Sequence, residues 1–316
     1  MVRKSVAVTG RIPDSATAER EREAVTDAVA RFYRELPFNY EQTDDQAART
    51  AADHNQVASA YPSLDAVLRL ARQEAVLDVG CGAGWFVNTV AYHYRLPVVG
   101  LDLCEPALDR ARAITKCLGM ERLVQYHRRD LFQAREAPLC PSGRFFLVNS
   151  LGVLHHTFDC RQAFMSIAEL VAPGGFIHIG LYHAYGRRPF LELFQPYREA
   201  YETASSESGR RAAETQALRL YQELNPSVSD GTMLHSWCRD QVLHPHESQH
   251  TLQEVSGWLA ELGFTCVSTS INRFEPVRDW RTLFEEERYL SEVSYQRNVV
   301  DKRYFPGFFV VLARRG

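Results

Sequence analysis

The chain has 316 residues, 45% of them hydrophobic and 24% charged, with a net charge of −3. That size fits one large α/β domain with insertions or two smaller ones, and the slight acidic balance disfavours nucleic acid as main partner, since gripping a polyanion needs a basic surplus. Seven scattered cysteines without a Cys-x-x-Cys pair argue against a structural zinc site and suit a reducing cytoplasm; no apolar run reaches the ~18 residues of a membrane span, and the N-terminus lacks the apolar core expected of a signal peptide.

Residues 16–36 place Val25, Val29, Phe32, Tyr33 and Leu36 on one face of an expected helix, which Pro37 ends. An aromatic loop, "FNYEQTDD", leads to a second helical pattern over 46–72, broken near Pro62. The pattern then changes. Ala75 to Gly80 reads as a buried strand, Trp85 to Tyr94 as a helix, and Pro97 to Leu103 as a strand. Glu105 to Leu118 is helical with Pro106 in its first turn. Leu123 to Asp130 and Arg144 to Leu151 are strand-like, Cys160 to Val171 is helical, and "APGGF" turns the chain into the strand "FIHIGLYH". Such alternation implies a parallel sheet covered on both faces.

Residues 184–250 break the alternation with aromatic, charged, helical sequence over 189–224 and a loop, "NPSVSDG". "TLQEVSGWLAEL" restores a helix, with Thr251 and Glu254 at capping-box spacing and Gly263 at its stop. Two strands remain, "FTCVSTSI" and "GFFVVLAR", separated by a charged insertion. The expected division is a helical cap or lid over 1–72, a ligand-binding core over 73–183, a helical insertion capping the substrate over 184–250, and the C-terminal part of the sheet over 251–316.

"VLDVGCGAGWF", Val76 to Phe86, joins the first strand to the first core helix through alternate glycines. Glycine permits the tight turn and removes the Cβ that would block a close ligand. The Gly-Lys-Ser/Thr of a phosphate-binding P-loop is absent. A dinucleotide fingerprint wants a small residue where Trp85 stands. Asp78 would repel a pyrophosphate but suits a ligand ammonium. Asp102, about 20 residues on, ends the next strand and can accept hydrogen bonds from ribose hydroxyls. Asp130 ends the third strand, placed to read an adenine amino group. Amino acid, ribose and adenine together describe S-adenosylmethionine.

With "VVGLDL", "RRDLF", "NSLGVLHH" and "LVAPGGFIHIG" following in order, the sequence resembles the class I S-adenosylmethionine-dependent methyltransferases. The resemblance is close over residues 75–183 and looser over 251–316. It implies a doubly wound, mostly parallel seven-stranded sheet whose last strand, "GFFVVLAR", is antiparallel. It also implies cofactor contacts at Asp78, Gly80, Gly82, Asp102, Leu103, Asp130, Leu131 and, by position, Ser150.

Methyl transfer from a sulfonium needs an oriented nucleophile and often a base. His155 and His156 follow the fourth strand, and Tyr182 and His183 end the fifth, so these are the catalytic candidates. "LHPHESQHT" brings His246, Glu247 and His250 before a helix at the sheet edge, as candidates to face the substrate rather than to hold a metal. Tyr40, in the aromatic loop, is a further substrate contact and part of a lid. No Asn/Asp-Pro-Pro-aromatic tetrad follows the fourth strand; "NSLG" stands there. The expected function is cytoplasmic methyl transfer to an O, N or C nucleophile of a small, natural-product-like molecule, with no metal and a homodimer left open. The rivals are a protein or tRNA methyltransferase and a non-catalytic cofactor-binding subunit.

Overall fold

The computed structural model of the chain describes residues 15–36, 38 and 43–316. Helices α1 (Ser15–Glu35), α2 (Asp44–Asp53), α3 (Gln56–Ala60) and α4 (Pro62–Leu70) precede the sheet. The second helical pattern is thus three helices. Thr43 and Asn55 cap α2 and α3 through their side chains, and Pro62 opens α4, where a missing N–H costs nothing.

Strand β1 (Val76–Val79) is buried at every position and leads to α5 (Trp85–Tyr94). Next come β2 (Val98–Asp102), α6 (Glu105–Cys117), β3 (Val124–Arg128), β4 (Phe145–Leu151), α7 (Cys160–Ala168) and β5 (Val171–Tyr182). The insertion is α8 (Ala184–Thr203), α9 (Glu207–Leu224) and α10 (Gly231–Val242). Then α11 (Leu252–Glu261), β6 (Phe264–Thr269), α12 (Trp280–Glu286), α13 (Leu290–Tyr295) and β7 (Phe308–Arg315) complete the chain. Thr251 and Glu254 close the expected capping box on α11.

The seven strands lie in the order β3-β2-β1-β4-β5-β7-β6, with β7 antiparallel to both neighbours and the other six parallel. β5 starts earlier than its sequence suggests. Val171 already pairs with Phe145, and Ala172 to Gly175 bulge out before Phe176 resumes pairing with Leu147. A Cβ on Gly175 would stand 2.7 Å from the Phe146 carbonyl oxygen, which explains the glycine at this bulge.

One face of the sheet buries Leu77, Phe164, Ile167 and Trp258 under α7 and α11. The opposite face buries Leu64, Leu68, Phe86 and Val90 under α4 and α5. The insertion has its own core of Phe190, Phe194, Tyr221 and Leu234. Parallel strands open their carboxyl ends on one edge, where ligands collect in such sheets.

Candidate active site

A cavity of about 570 Å³ lies along that edge. Its first end is the turn from β1 into α5. Gly80 and Gly82 line it with left-handed φ of 72° and 51°. The two glycines serve different ends. A Cβ on Gly80 would stand 2.3 Å from a methyl of Val153, so Gly80 lets the loop close on the turn after β4. A Cβ on Gly82 would meet nothing within 4 Å and would project into the crevice. The bare backbone leaves room there for a close ligand.

Asp102 ends β2 and braces the loop. Gly82 N–H donates to its Oδ2 (2.8 Å) and Cys104 N–H to its Oδ1 (2.8 Å). Burial raises its pKa against these backbone donors. Each oxygen keeps a lone pair, enough to accept from a ribose hydroxyl. Leu103, Asp130 and Leu131 also line the cavity. Asp130 Oδ1 accepts from Phe132 N–H (3.0 Å), capping a short 3-10 turn at Leu131.

Asp78 and Ser150 do not line it. Sheet register sets Asp78 opposite Asn149, and Asn149 opposite His178. Asn149 Nδ2 donates to Asp78 Oδ1 (2.7 Å), and His178 Nδ1 stands 2.7 Å from Asn149 Oδ1, a buried polar row across β1, β4 and β5. Burial pushes Asp78 up to about 7, against the Asn149 bond, and pushes His178 down to about 3. Ser150 Oγ donates to the Val79 carbonyl (3.1 Å) and ties β4 to β1.

The second end is walled by α1, α10, the turn after β4 and the approach to β7. His156, Tyr182, Tyr33, Asp240 and Phe308 line it. His156 Nδ1 lies 2.8 Å from the His246 carbonyl, which only accepts, so the proton sits on Nδ1 and Nε2 carries the lone pair. That Nε2 is buried without a hydrogen-bond partner, and burial lowers the ring's pKa. His244 stacks on His156 with centroids 3.7 Å apart. Tyr33 donates to Asp240 Oδ1 (2.5 Å), and Arg239 pairs with Glu35 (2.6 Å), so the end of α1 is latched to α10.

The remaining candidates are placed behind this wall. His155 is fully buried between His156 and Tyr182, with neither nitrogen hydrogen-bonded. His183 caps α8, accepting from Gly186 N–H at Nδ1 (3.1 Å) and donating from Nε2 to Glu287 (3.0 Å). Glu287 also accepts from Leu252 N–H (2.6 Å), so it joins β5, α8 and α11. Glu247 takes a two-pronged bond from Arg187, at 3.1 and 2.7 Å. Burial alone would raise its carboxyl; the Arg187 charge and hydrogen bonds outweigh that and hold it low. His246 contributes its backbone carbonyl, and His250 packs on Trp258 (5.1 Å). Tyr40 lies outside the described residues. Among those residues no group of His, Cys, Asp or Glu converges to hold a metal.

Asp240, Trp237, Gln241 and Tyr304 also line the cavity, and the sequence did not single them out. A readable signal existed for three of them. Trp237, Asp240 and Gln241 recur at helical spacing on one face of α10, and a carboxylate among such neighbours is unusual for a face that docks.

Residues 76–175 match the family model of a methyltransferase domain. The strand order and the antiparallel last strand are those of the Rossmann-like methyltransferase sheet. An uncharacterized protein of Synechococcus sp. is 23% identical over 272 residues, covering 81% of this chain and 63% of its own. Norajmaline N-methyltransferase of Rauvolfia serpentina is 28% identical over 155 residues, 46% of this chain and 52% of its own. PKMT2 of Rickettsia typhi, solved in complex with AdoHcy, shares the fold with a TM-score of 0.55 at 14% identity, over 88% of this chain and 54% of its own. The chain therefore spans between half and two thirds of these two curated relatives' lengths. Residues 76–175 thus form a methyltransferase domain on the Rossmann-like sheet, and S-adenosylmethionine is its cofactor. The open space at Gly82 and the spare acceptors of Asp102 fit that molecule.

Proposed function

We propose that the protein transfers the methyl group of S-adenosylmethionine to a small, natural-product-like molecule held at the second end of the cavity. One observation carries this reading. The glycine crevice and the wall formed by His156, Tyr182 and Asp240 belong to a single cavity. Cofactor and acceptor thus share one space. The name of the Rauvolfia relative, an N-methyltransferase of norajmaline, supports a small-molecule acceptor.

The bound cofactor supplies a methyl group activated on a sulfonium. Gly80 and Gly82 give it room, Asp102 takes the ribose hydroxyls, and Asp130 with Leu131 borders the adenine. His156 is the base. Its Nδ1–H is committed to the His246 carbonyl, which leaves Nε2 to accept a proton from the acceptor. Tyr182 shapes the acceptor end beside it, with Arg187 over the ring (3.6 Å).

The test is turnover and cofactor affinity in His156→Ala. General-base loss predicts a fall in kcat/KM of about 100-fold or more, with S-adenosylhomocysteine affinity unchanged by calorimetry. Burial lowers the ring below 6.5, so the acid limb of the wild-type rate profile should lie below that value and vanish in the variant. Full turnover in His156→Ala removes His156 from the mechanism. Failure of the wild-type protein to bind S-adenosylhomocysteine removes the function.

A further inference from the structure

The acceptor end of the cavity has an unusual charge arrangement. Arg187 is fully buried, and four of its five N–H donors are engaged. Nε and Nη2 serve Glu247, Nη1 reaches the Pro306 carbonyl (3.2 Å), and Nη2 also reaches the Gln241 carbonyl (2.5 Å). Glu247 therefore neutralises Arg187. Asp240 remains, 8% exposed and on the cavity wall. Among the described residues the Tyr33 hydroxyl donates to it, and no lysine or arginine is ion-paired with it. A buried carboxylate without a cation is expensive, and a phenol only partly offsets the cost. Burial accordingly raises its pKa, while the Arg187 and His156 charges act in the opposite direction.

Around Asp240 the wall is aromatic. Tyr33, Trp237, Tyr182, Tyr304 and Phe308 all line this end. Aromatic faces attract cations, and cages of such rings with a carboxylate are the means by which proteins hold organic ammonium ions. An anionic acceptor would meet Asp240 and be repelled. A neutral one would leave the carboxylate without a counter-ion.

We infer that the acceptor is an amine carried as its ammonium ion, with Asp240 as its counter-ion and the aromatic wall around its apolar body. This deepens the methyl-transfer reading of the same cavity and rests on it. The chemistry balances with the residues present. The ammonium gives one proton to His156 Nε2, which frees the nitrogen lone pair. That pair forms the C–N bond to the methyl carbon as the C–S bonding pair returns to sulfur. The products are the N-methylated amine, S-adenosylhomocysteine and a protonated His156, whose proton leaves to solvent. Asp240 thus selects the substrate, whereas His156 prepares it.

The experiment compares phenethylamine with its neutral analogue 2-phenylethanol. Each is titrated by calorimetry into wild-type protein saturated with S-adenosylhomocysteine. The amine should bind at least about tenfold more tightly, the worth of one good charge contact. In Asp240→Asn that preference should fall to about twofold or less, with S-adenosylhomocysteine affinity unchanged. Equal binding of the two probes, tighter binding of the alcohol, or no binding of the amine at millimolar concentration overturns the inference. So does a preference that survives in Asp240→Asn. If Asp240→Asn instead weakens S-adenosylmethionine relative to S-adenosylhomocysteine, the carboxylate serves the cofactor's sulfonium and the amine assignment falls. The saturating titration keeps the two failures apart. Absence of S-adenosylhomocysteine binding condemns methyl transfer itself, whereas its presence without amine preference condemns only the acceptor class.

Discussion

The two ends of the cavity are built in different ways. Most of the cofactor end comes from one stretch of chain, from Val79 to Phe132, with α2 packed over α5 and α6 beside it, and its shape follows from three neighbouring strands that stop on one edge. Its main brace is local in space and made with backbone: Asp102 holds Gly82 N–H and Cys104 N–H. The acceptor end is assembled from α1, the turn after β4, the end of β5, α10 and the approach to β7. Side chains far apart in sequence hold it, among them Tyr33 with Asp240, 207 positions apart, and Arg187 with Glu247. A sheet fixes the first end whatever the insertions do. The second exists only when the insertions dock, which is how one sheet serves many acceptors.

This contrast can be broken hardest at Arg187. Arg187→Met leaves Glu247 as a buried charge without a cation, and should cost about 3–5 kcal/mol of unfolding free energy in urea. S-adenosylhomocysteine affinity should change by less than about twofold if the ends are independent. A parallel loss of cofactor affinity would show that the insertion shapes the crevice too. The companion Arg187→Met/Glu247→Leu should recover part of the loss, because an apolar pair replaces the buried ions. Recovery stays partial since the Pro306 and Gln241 carbonyls lose their donor.

Gly82→Leu attacks the other end. The new side chain enters open space and occupies the crevice, at a φ of 51° that adds strain. S-adenosylhomocysteine should bind about 100-fold more weakly, equivalent to about 2.7 kcal/mol, as read by calorimetry. Undiminished affinity would mean that the ligand passes elsewhere.

What could be read in the sequence divides along the same line. The apolar run of β1, the alternate glycines and the acids ending β2 and β3 are short-range signals, so the cofactor end was visible as a pattern of neighbours. Helix boundaries at Trp85 and Tyr94 agree to the residue because left-handed Gly84 and Arg95 bracket them. The acceptor end was not visible in this way. No periodicity says that Asp240 meets Tyr33, or that Glu287, from the charged insertion before β7, reaches His183. The histidine-rich segment before α11 stood out for its composition. The structure uses it for stacking, carbonyl contacts and the Arg187 pair, none of which composition distinguishes from substrate contact. β5 hid its start because a strand with a four-residue bulge reads as a turn.

Asp78 sharpens the comparison most finely, because it lies beneath the cofactor end without lining it. In an unfolded chain its carboxyl loses its proton near 3.8; burial in the fold holds the proton to about 7. Between those values the unfolded chain ionises first, so stability falls as pH rises through the window and the penalty is complete above it. Asp78→Asn lacks the titration and can still accept from Asn149. Its stability advantage over the wild type should therefore grow by about 2 kcal/mol between about pH 5 and about pH 8. A constant difference would mean that the carboxyl ionises as in solvent. The ligand adds a second reading. An ammonium brought near Asp78 favours the carboxylate, so wild-type protein near pH 7 should release a proton on binding S-adenosylhomocysteine. Calorimetry in buffers of different ionisation enthalpy counts that proton. If none appears in the wild type, or if Asp78→Asn releases as many, the amino-acid end of the cofactor is held by the loop amides rather than by this acid.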